Sequence, residues 1–166
     1  MGSGKTTLGK MIATSMNLEF IDLDHIITLK TGDSVNSIFE SMGEKYFRLK
    51  EKETLEELVK KESFVLAVGG GTSCFFNNME VMNREGLTIY LRLSPGSLFS
   101  RLVKRKMHRP LVKNLDDKQL MEYIKTNLSK REKWYLQSKR ILEEKNQEPD
   151  AILSIIKDYK PGRGSE

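Results

Sequence analysis

At 166 residues, with 28 basic against 23 acidic side chains, the chain carries a formal charge of +5 and has the length of one domain with a sizeable core. A single cysteine, Cys74, excludes an intramolecular disulfide, and with only two histidines the composition makes no zinc site. No apolar run approaches the ~20 residues that span a membrane, no leader pattern opens the chain, and the densest basic cluster, Arg101–Pro110, is short and lacks interleaved aromatics. The expected protein is therefore a cytoplasmic monomer, with neither a membrane nor a nucleic acid as partner.

The opening "MGSGKTT" fits the end of the pattern G-x-x-x-x-G-K-[ST], with Gly4, Lys5 and Thr6 in its last places. The first glycine of that pattern would fall two residues before Met1. Nothing ahead of the loop supplies the strand that normally feeds it, so the expectation is an incomplete record rather than a working enzyme without that strand. After the loop, Leu8, Met11, Ile12 and Met16 recur at helical spacing over 6–17. "LEFIDLD" (Leu18–Asp24) predicts a buried strand. Two helical stretches follow, punctuated by Gly32 and Gly43, the longer at about 44–61. "FVLAVGGG" is a strand running into Gly69, Gly70 and Gly71. A helix closes at Gly86, and "TIYLRL" is the next strand. Pro95 opens another helix. A polar stretch around 106–117 leads into a long helix over 116–139, a short strand at 140–144 and a last helix from Pro149; the tail from Lys160 is expected to fray.

Strands alternate with helices throughout, which predicts an α/β fold with a parallel sheet covered on both faces. Segments 25–61 and 105–118 interrupt the alternation and are expected to form a substrate-binding part and a lid.

The loop chemistry is the most specific signal. Glycines at 2 and 4 let backbone N–H groups approach phosphate oxygens, and the helix from Lys5 turns its partly positive end toward the anion. Lys5 would reach the β- and γ-phosphates, and the Thr6 hydroxyl would hold Mg²⁺. Asp22 and Asp24, at i and i+2 on a strand, would point the same way, toward a magnesium ion and a substrate hydroxyl; the bland alternative is a strand end capping the next helix. Arg48 and Glu51 share a helix face at i,i+3, which alone reads as a surface pair. The glycine triplet would let a backbone lie flat against a small ligand.

The ordered set "GSGKTT", "FIDLD", "FRLKE", "GGG", "RPL" (Arg109–Leu111) and "REKWY" (Arg131–Tyr135) resembles shikimate kinase, a P-loop family of the nucleoside-monophosphate-kinase-like group. The likeness runs over almost the whole chain as one three-layer P-loop kinase domain, residues 1–166. It implies ATP-dependent phosphorylation of the shikimate 3-hydroxyl, with Mg²⁺, in the pathway to chorismate and aromatic amino acids. It also implies roles. Gly2, Ser3, Gly4, Lys5, Thr6 and Thr7 bind ATP. Asp22 serves magnesium, and Asp24 orients the attacking hydroxyl and accepts its proton. Arg48, oriented by Glu51, and Arg131 grip the substrate carboxylate, beside Gly69, Gly70 and Gly71. Arg109 closes over the phosphates as the lid arginine. Arg101 stands for the adenine-stacking arginine, one residue ahead of the family's usual place, which here holds Leu102. An adenine loop is expected near 146–149, and Trp134 and Tyr135 are expected to pack. The rival readings are another small-molecule kinase of the group, such as a gluconate kinase, and a non-catalytic nucleotide-binding relic.

Overall fold

The structure is a computed structural model, and it describes residues 2–104, 112 and 114–159. The loop runs straight into α1 (Lys5–Met16), whose N-cap is Gly4. Leu8, Ile12 and Met16 on one face of α1 join Val65, Ile89 and Leu91 in a shared apolar cluster. Asn17, left-handed at φ 54°, ends the helix and turns the chain into β1 (Glu19–Asp22). Three helices follow, α2 (Leu23–Thr31), α3 (Val35–Ser41) and α4 (Gly43–Leu58), where the sequence predicts two. The extra break is glycine chemistry: Gly32 at φ 77° closes α2, and Gly43 at φ 80° turns the chain between α3 and α4.

Next come β2 (Phe64–Ala67), a short 3₁₀ turn at Thr72–Cys74, α5 (Asn78–Glu85), β3 (Ile89–Arg92) and α6 (Pro95–Val103). The described chain ends with α7 (Asp117–Tyr135), β4 (Arg140–Glu143) and α8 (Pro149–Asp158). Ser94 caps α6 through its side chain, with Pro95 in the first turn. Asp116 and Gln119 form a reciprocal capping box that starts α7. Residues 105–111 lie outside the described residues, and with them Arg109 and most of the predicted lid.

Phe20 of β1 stands opposite Val65 of β2, and Tyr90 of β3 opposite Ile141 of β4; both pairs are parallel. Alternation along β2 sends its side chains to two layers. Phe64 and Leu66 pack with Ile21, Ile27, Ile38 and Phe47 under α2–α4. Val65 packs with Ile12 and Ile152 under α1 and α8. Helices thus cover both faces of parallel strands, the α/β architecture that the order of elements predicts. A third cluster, Leu98, Leu102, Leu120 and Ile124, joins α6 to α7 beside the loop. No helix among the described residues is long and apolar enough to cross a membrane.

Candidate active site

The opening loop needs its glycines. Gly2 at φ 72° and Gly4 at φ 90° occupy a backbone region that L side chains rarely adopt, and a Cβ on Gly2 would come within 3.1 Å of Leu102. Gly4 offers no side-chain oxygen, so α1 starts without a side-chain cap. The N–H groups of its first turn are then available to an anion. Lys5, Thr6 and Thr7 line the same cleft as the loop glycines, a space of about 710 Å³.

The acidic pair is not arranged as the strand reading expects. β1 stops at Asp22, and Asp24 lies in the first turn of α2. Capping is the cause. One Asp22 oxygen accepts from the Asp24 backbone N–H at 3.2 Å, which starts the helix there. The other accepts from the Thr6 hydroxyl at 3.3 Å, tying the strand end to the loop. Asp24 lines the cleft, and its Oδ1 is buried with no hydrogen-bond partner among the described residues. A buried acceptor left unpaired costs ~1–3 kcal/mol, which a ligand hydroxyl would relieve. Burial pushes the Asp24 carboxyl above its ordinary range, against the pull of Lys5 and with the push of Asp22.

Arg48 and Glu51 are no surface pair, being 8% and 0% exposed. Arg48 Nη1 donates to Glu51 Oε2 at 2.6 Å, while Nε and Nη2 donate to Glu44 Oε1 at 3.1 and 2.9 Å. The Thr72 hydroxyl donates to the other Glu51 oxygen, and Asn78 Nδ2 donates to the Thr72 carbonyl at 2.9 Å. Burial opposes the charge on Arg48, yet its bonds to Glu51 and Glu44 outweigh that and hold its pKa above the ordinary arginine value. The rings of Phe39, Phe47 and Phe75 lie 5.6, 5.4 and 4.4 Å from the guanidinium carbon. Motif reading missed this aromatic cage and the Thr72–Asn78 bracing. Phe47 sits inside "FRLKE" with nothing to mark its role, and Phe75 carries no signal at all.

The glycine triplet makes room for the protein's own side chains. A Cβ on Gly71 would stand 2.5 Å from Arg48 Nη2, and one on Gly69 would stand 3.1 Å from both Asp24 Oδ1 and Glu51 Oε1. Gly70 lines the cleft, and its carbonyl accepts from the Tyr135 hydroxyl. Tyr135 also packs on Tyr90, with ring centroids 5.1 Å apart, so the expected packing residue carries a polar contact as well. Arg131 reaches the cleft from α7. Arg101 lines it from α6, where Nη1 donates to the Ser3 carbonyl at 2.9 Å. Gln147 and Glu148, within the segment expected to hold adenine, line it too. Every predicted site residue among those described, Asp22 excepted, lines this one cleft, and Asp22 is bonded to Thr6 at its margin.

A glycine loop feeding a helix at the carboxyl ends of parallel strands, with a carboxylate and arginines facing it, defines a P-loop phosphotransferase. The shikimate kinase family model matches residues 1–160. A shikimate kinase of Phocaeicola vulgatus is 43% identical over 95% of this chain and 93% of its own length. The crystal structure of shikimate kinase from Bacteroides thetaiotaomicron superposes with a TM-score of 0.88 at 38% identity, covering 95% of this chain and 92% of that one. Shikimate kinase from Acinetobacter baumannii, solved in complex with shikimate, gives a TM-score of 0.81 at 30% identity, covering 96% of this chain and 91% of that one. The chain belongs to the shikimate kinase family.

Proposed function

We propose that this chain transfers the γ-phosphoryl group of ATP to the 3-hydroxyl of shikimate, as a cytoplasmic monomer. The observation that carries this reading is one cleft holding the loop Gly2–Thr7, the orphaned Asp24 acceptor and the buried Arg48. A family relative was solved with shikimate bound. Arg48 and Arg131 grip the carboxylate of shikimate, since a planar fork meets a carboxylate through two bonds. Gly70 offers its N–H to the same ligand. Asp24 accepts a hydrogen bond from the attacking hydroxyl and takes its proton as the new O–P bond forms and the bond from the γ-phosphorus to the β,γ-bridging oxygen breaks, ADP leaving with that oxygen. Lys5 and the first-turn N–H groups hold the phosphates in line. In this reading Arg109 closes over them and steadies the transferring charge.

A magnesium ion fits the donors present. The Thr6 hydroxyl and an Asp22 carboxylate oxygen, 3.3 Å apart, are the hard oxygen ligands it prefers. Among the described residues no cluster of three acidic, histidine or cysteine side chains could cage a metal, which suits an ion that keeps waters and phosphate oxygens. When bound, it neutralises charge on the β- and γ-phosphates.

An acceptor panel tests the proposal. Shikimate should be turned over in preference to gluconate; a preference for gluconate overturns it, and ATP binding with no acceptor-dependent turnover favours the relic. Two variants refine the site. Gly71→Ala should displace the Arg48 guanidinium and lower kcat/KM for shikimate by about 10- to 100-fold, leaving ATP affinity unchanged. Arg101→Ala should raise the ATP KM by about tenfold and leave the shikimate KM alone, because the side chain packs on the loop and not on the acceptor pocket. Steady-state kinetics in both substrates check each.

A further inference from the structure

The polar groups of the glycine triplet divide by type. Gly69, Gly70 and Gly71 all line the cleft and lie outside any helix or strand. Each brings one carbonyl and one N–H. The protein's own donors take all three carbonyls. The Thr72 N–H reaches the Gly69 carbonyl at 3.2 Å, and the Cys74 N–H reaches that of Gly71 at 2.8 Å, both within the 3₁₀ turn region. The Gly70 carbonyl accepts from the Tyr135 hydroxyl. None of the three N–H groups donates to an acceptor among the described residues. The triplet thus spends its acceptors on the fold and keeps its donors for a ligand.

The middle carbonyl is held differently from its neighbours. The outer two are closed by backbone bonds that the turn makes with itself. Gly70 is held from α7, by one side-chain hydroxyl; the other donor near its carbonyl is the Cys74 thiol at 3.9 Å, a weak one. Glycine has the widest backbone freedom, so three in a row keep no orientation of their own. The Gly70 carbonyl and the Gly71 N–H share one planar peptide unit, so holding the first fixes the second. Tyr135 is built for that task. Its ring is set against Tyr90 at an angle of 41°. Burial raises its pKa above the ordinary tyrosine value, against the pull of the Arg131 charge, so the hydroxyl stays a donor. Arg131 stands one turn earlier on the same helix and lines the cleft. We infer that Tyr135 is a positioning residue, whose hydroxyl pins the Gly70–Gly71 peptide so that the triplet's N–H donors are pre-set for the acceptor's carboxylate. Donors already oriented need no ordering when the ligand binds. One helix then sets both the Arg131 guanidinium and the backbone donors. The identity of the carboxylate rests on the function proposed above; the pin itself does not.

The test compares Tyr135→Phe, which keeps the ring and removes the hydroxyl, with Tyr90→Phe, which removes a hydroxyl from the other ring of the pair. Two readouts are taken on the full chain. Amide order parameters of Gly70 and Gly71 are measured by NMR without ligand. They should fall in Tyr135→Phe from about 0.85, the value of rigid backbone, toward about 0.6, and stay at the parental value in Tyr90→Phe. Steady-state kinetics should show the shikimate KM of Tyr135→Phe raised about tenfold, with the ATP KM unchanged and a smaller effect on kcat. Tyr90→Phe should keep the parental constants. Unchanged order parameters in folded Tyr135→Phe overturn the pin, as does a parental shikimate KM. Equal losses in the two variants also overturn it, because ring packing would then account for both. If the parent itself shows no shikimate-dependent turnover, the proposed function fails instead, and the order parameters still decide whether Tyr135 holds the triplet.

Discussion

Asp24→Asn is expected to lower kcat by about 100- to 10,000-fold while the shikimate KM moves little. Asparagine keeps the size of the side chain and still accepts a hydrogen bond, so the acceptor hydroxyl stays placed; what is lost is the base that takes its proton. The acid limb of kcat/KM should lie above 3.8, the ordinary aspartate value, because burial raises the Asp24 pKa and Lys5 only partly restores it. Stability should move the opposite way from activity. A carboxyl whose pKa is higher folded than unfolded binds more protons in the native state, so stability falls as pH rises from 3.8 through the folded pKa and stays lower above it. Asp24→Asn removes that ionisation. The variant should therefore be more stable than the parent at neutral pH, and the pH dependence of its Tm should flatten across the same window. Steady-state kinetics with thermal unfolding from acid to neutral pH measure both. An unchanged kcat removes Asp24 from the chemistry.

The second large effect belongs to Arg48. Arg48→Ala should raise the shikimate KM by about 100-fold or more, with a smaller fall in kcat, because the carboxylate grip is already made in the ground state. The same change leaves Glu51, fully buried, with Thr72 as its remaining bonded partner. Stranding one half of a buried pair costs ~3–5 kcal/mol, so unfolding must be measured beside kinetics. Arg48→Lys separates the two. It keeps a cation beside Glu51 but not the planar fork, so most of the stability should return while the shikimate KM stays at least about tenfold high. A lysine variant with parental KM would show that bidentate geometry is not used.

Much of this site was legible because its chemistry depends on short, fixed spacings. "GSGKTT" marks glycines where the backbone must approach an anion at a helix start, and the structure holds Gly2 and Gly4 at φ 72° and 90°. Asp24 was legible as a residue but not as a position. Alternation along a strand cannot reveal that Asp22 ends the strand by capping the following helix. The i,i+3 pair Arg48–Glu51 has the same spacing on a surface as in a core; only tertiary packing takes Glu51 to 0% exposed. The glycine triplet signalled close approach to a small ligand, but could not show that Gly71 also makes room for Arg48, from a helix earlier in the chain. Phe75, Thr72 and Asn78 act through contacts between distant segments, which local periodicity does not encode. The break between α3 and α4, by contrast, was marked by Gly43.

The most direct measurement is ADP release from Mg·ATP with and without shikimate. The account predicts release that depends on shikimate, saturates with it, yields one shikimate phosphate per ADP and falls with Asp24→Asn. If the folded protein does not release ADP in response to shikimate, the assignment of this cleft to shikimate phosphorylation is contradicted.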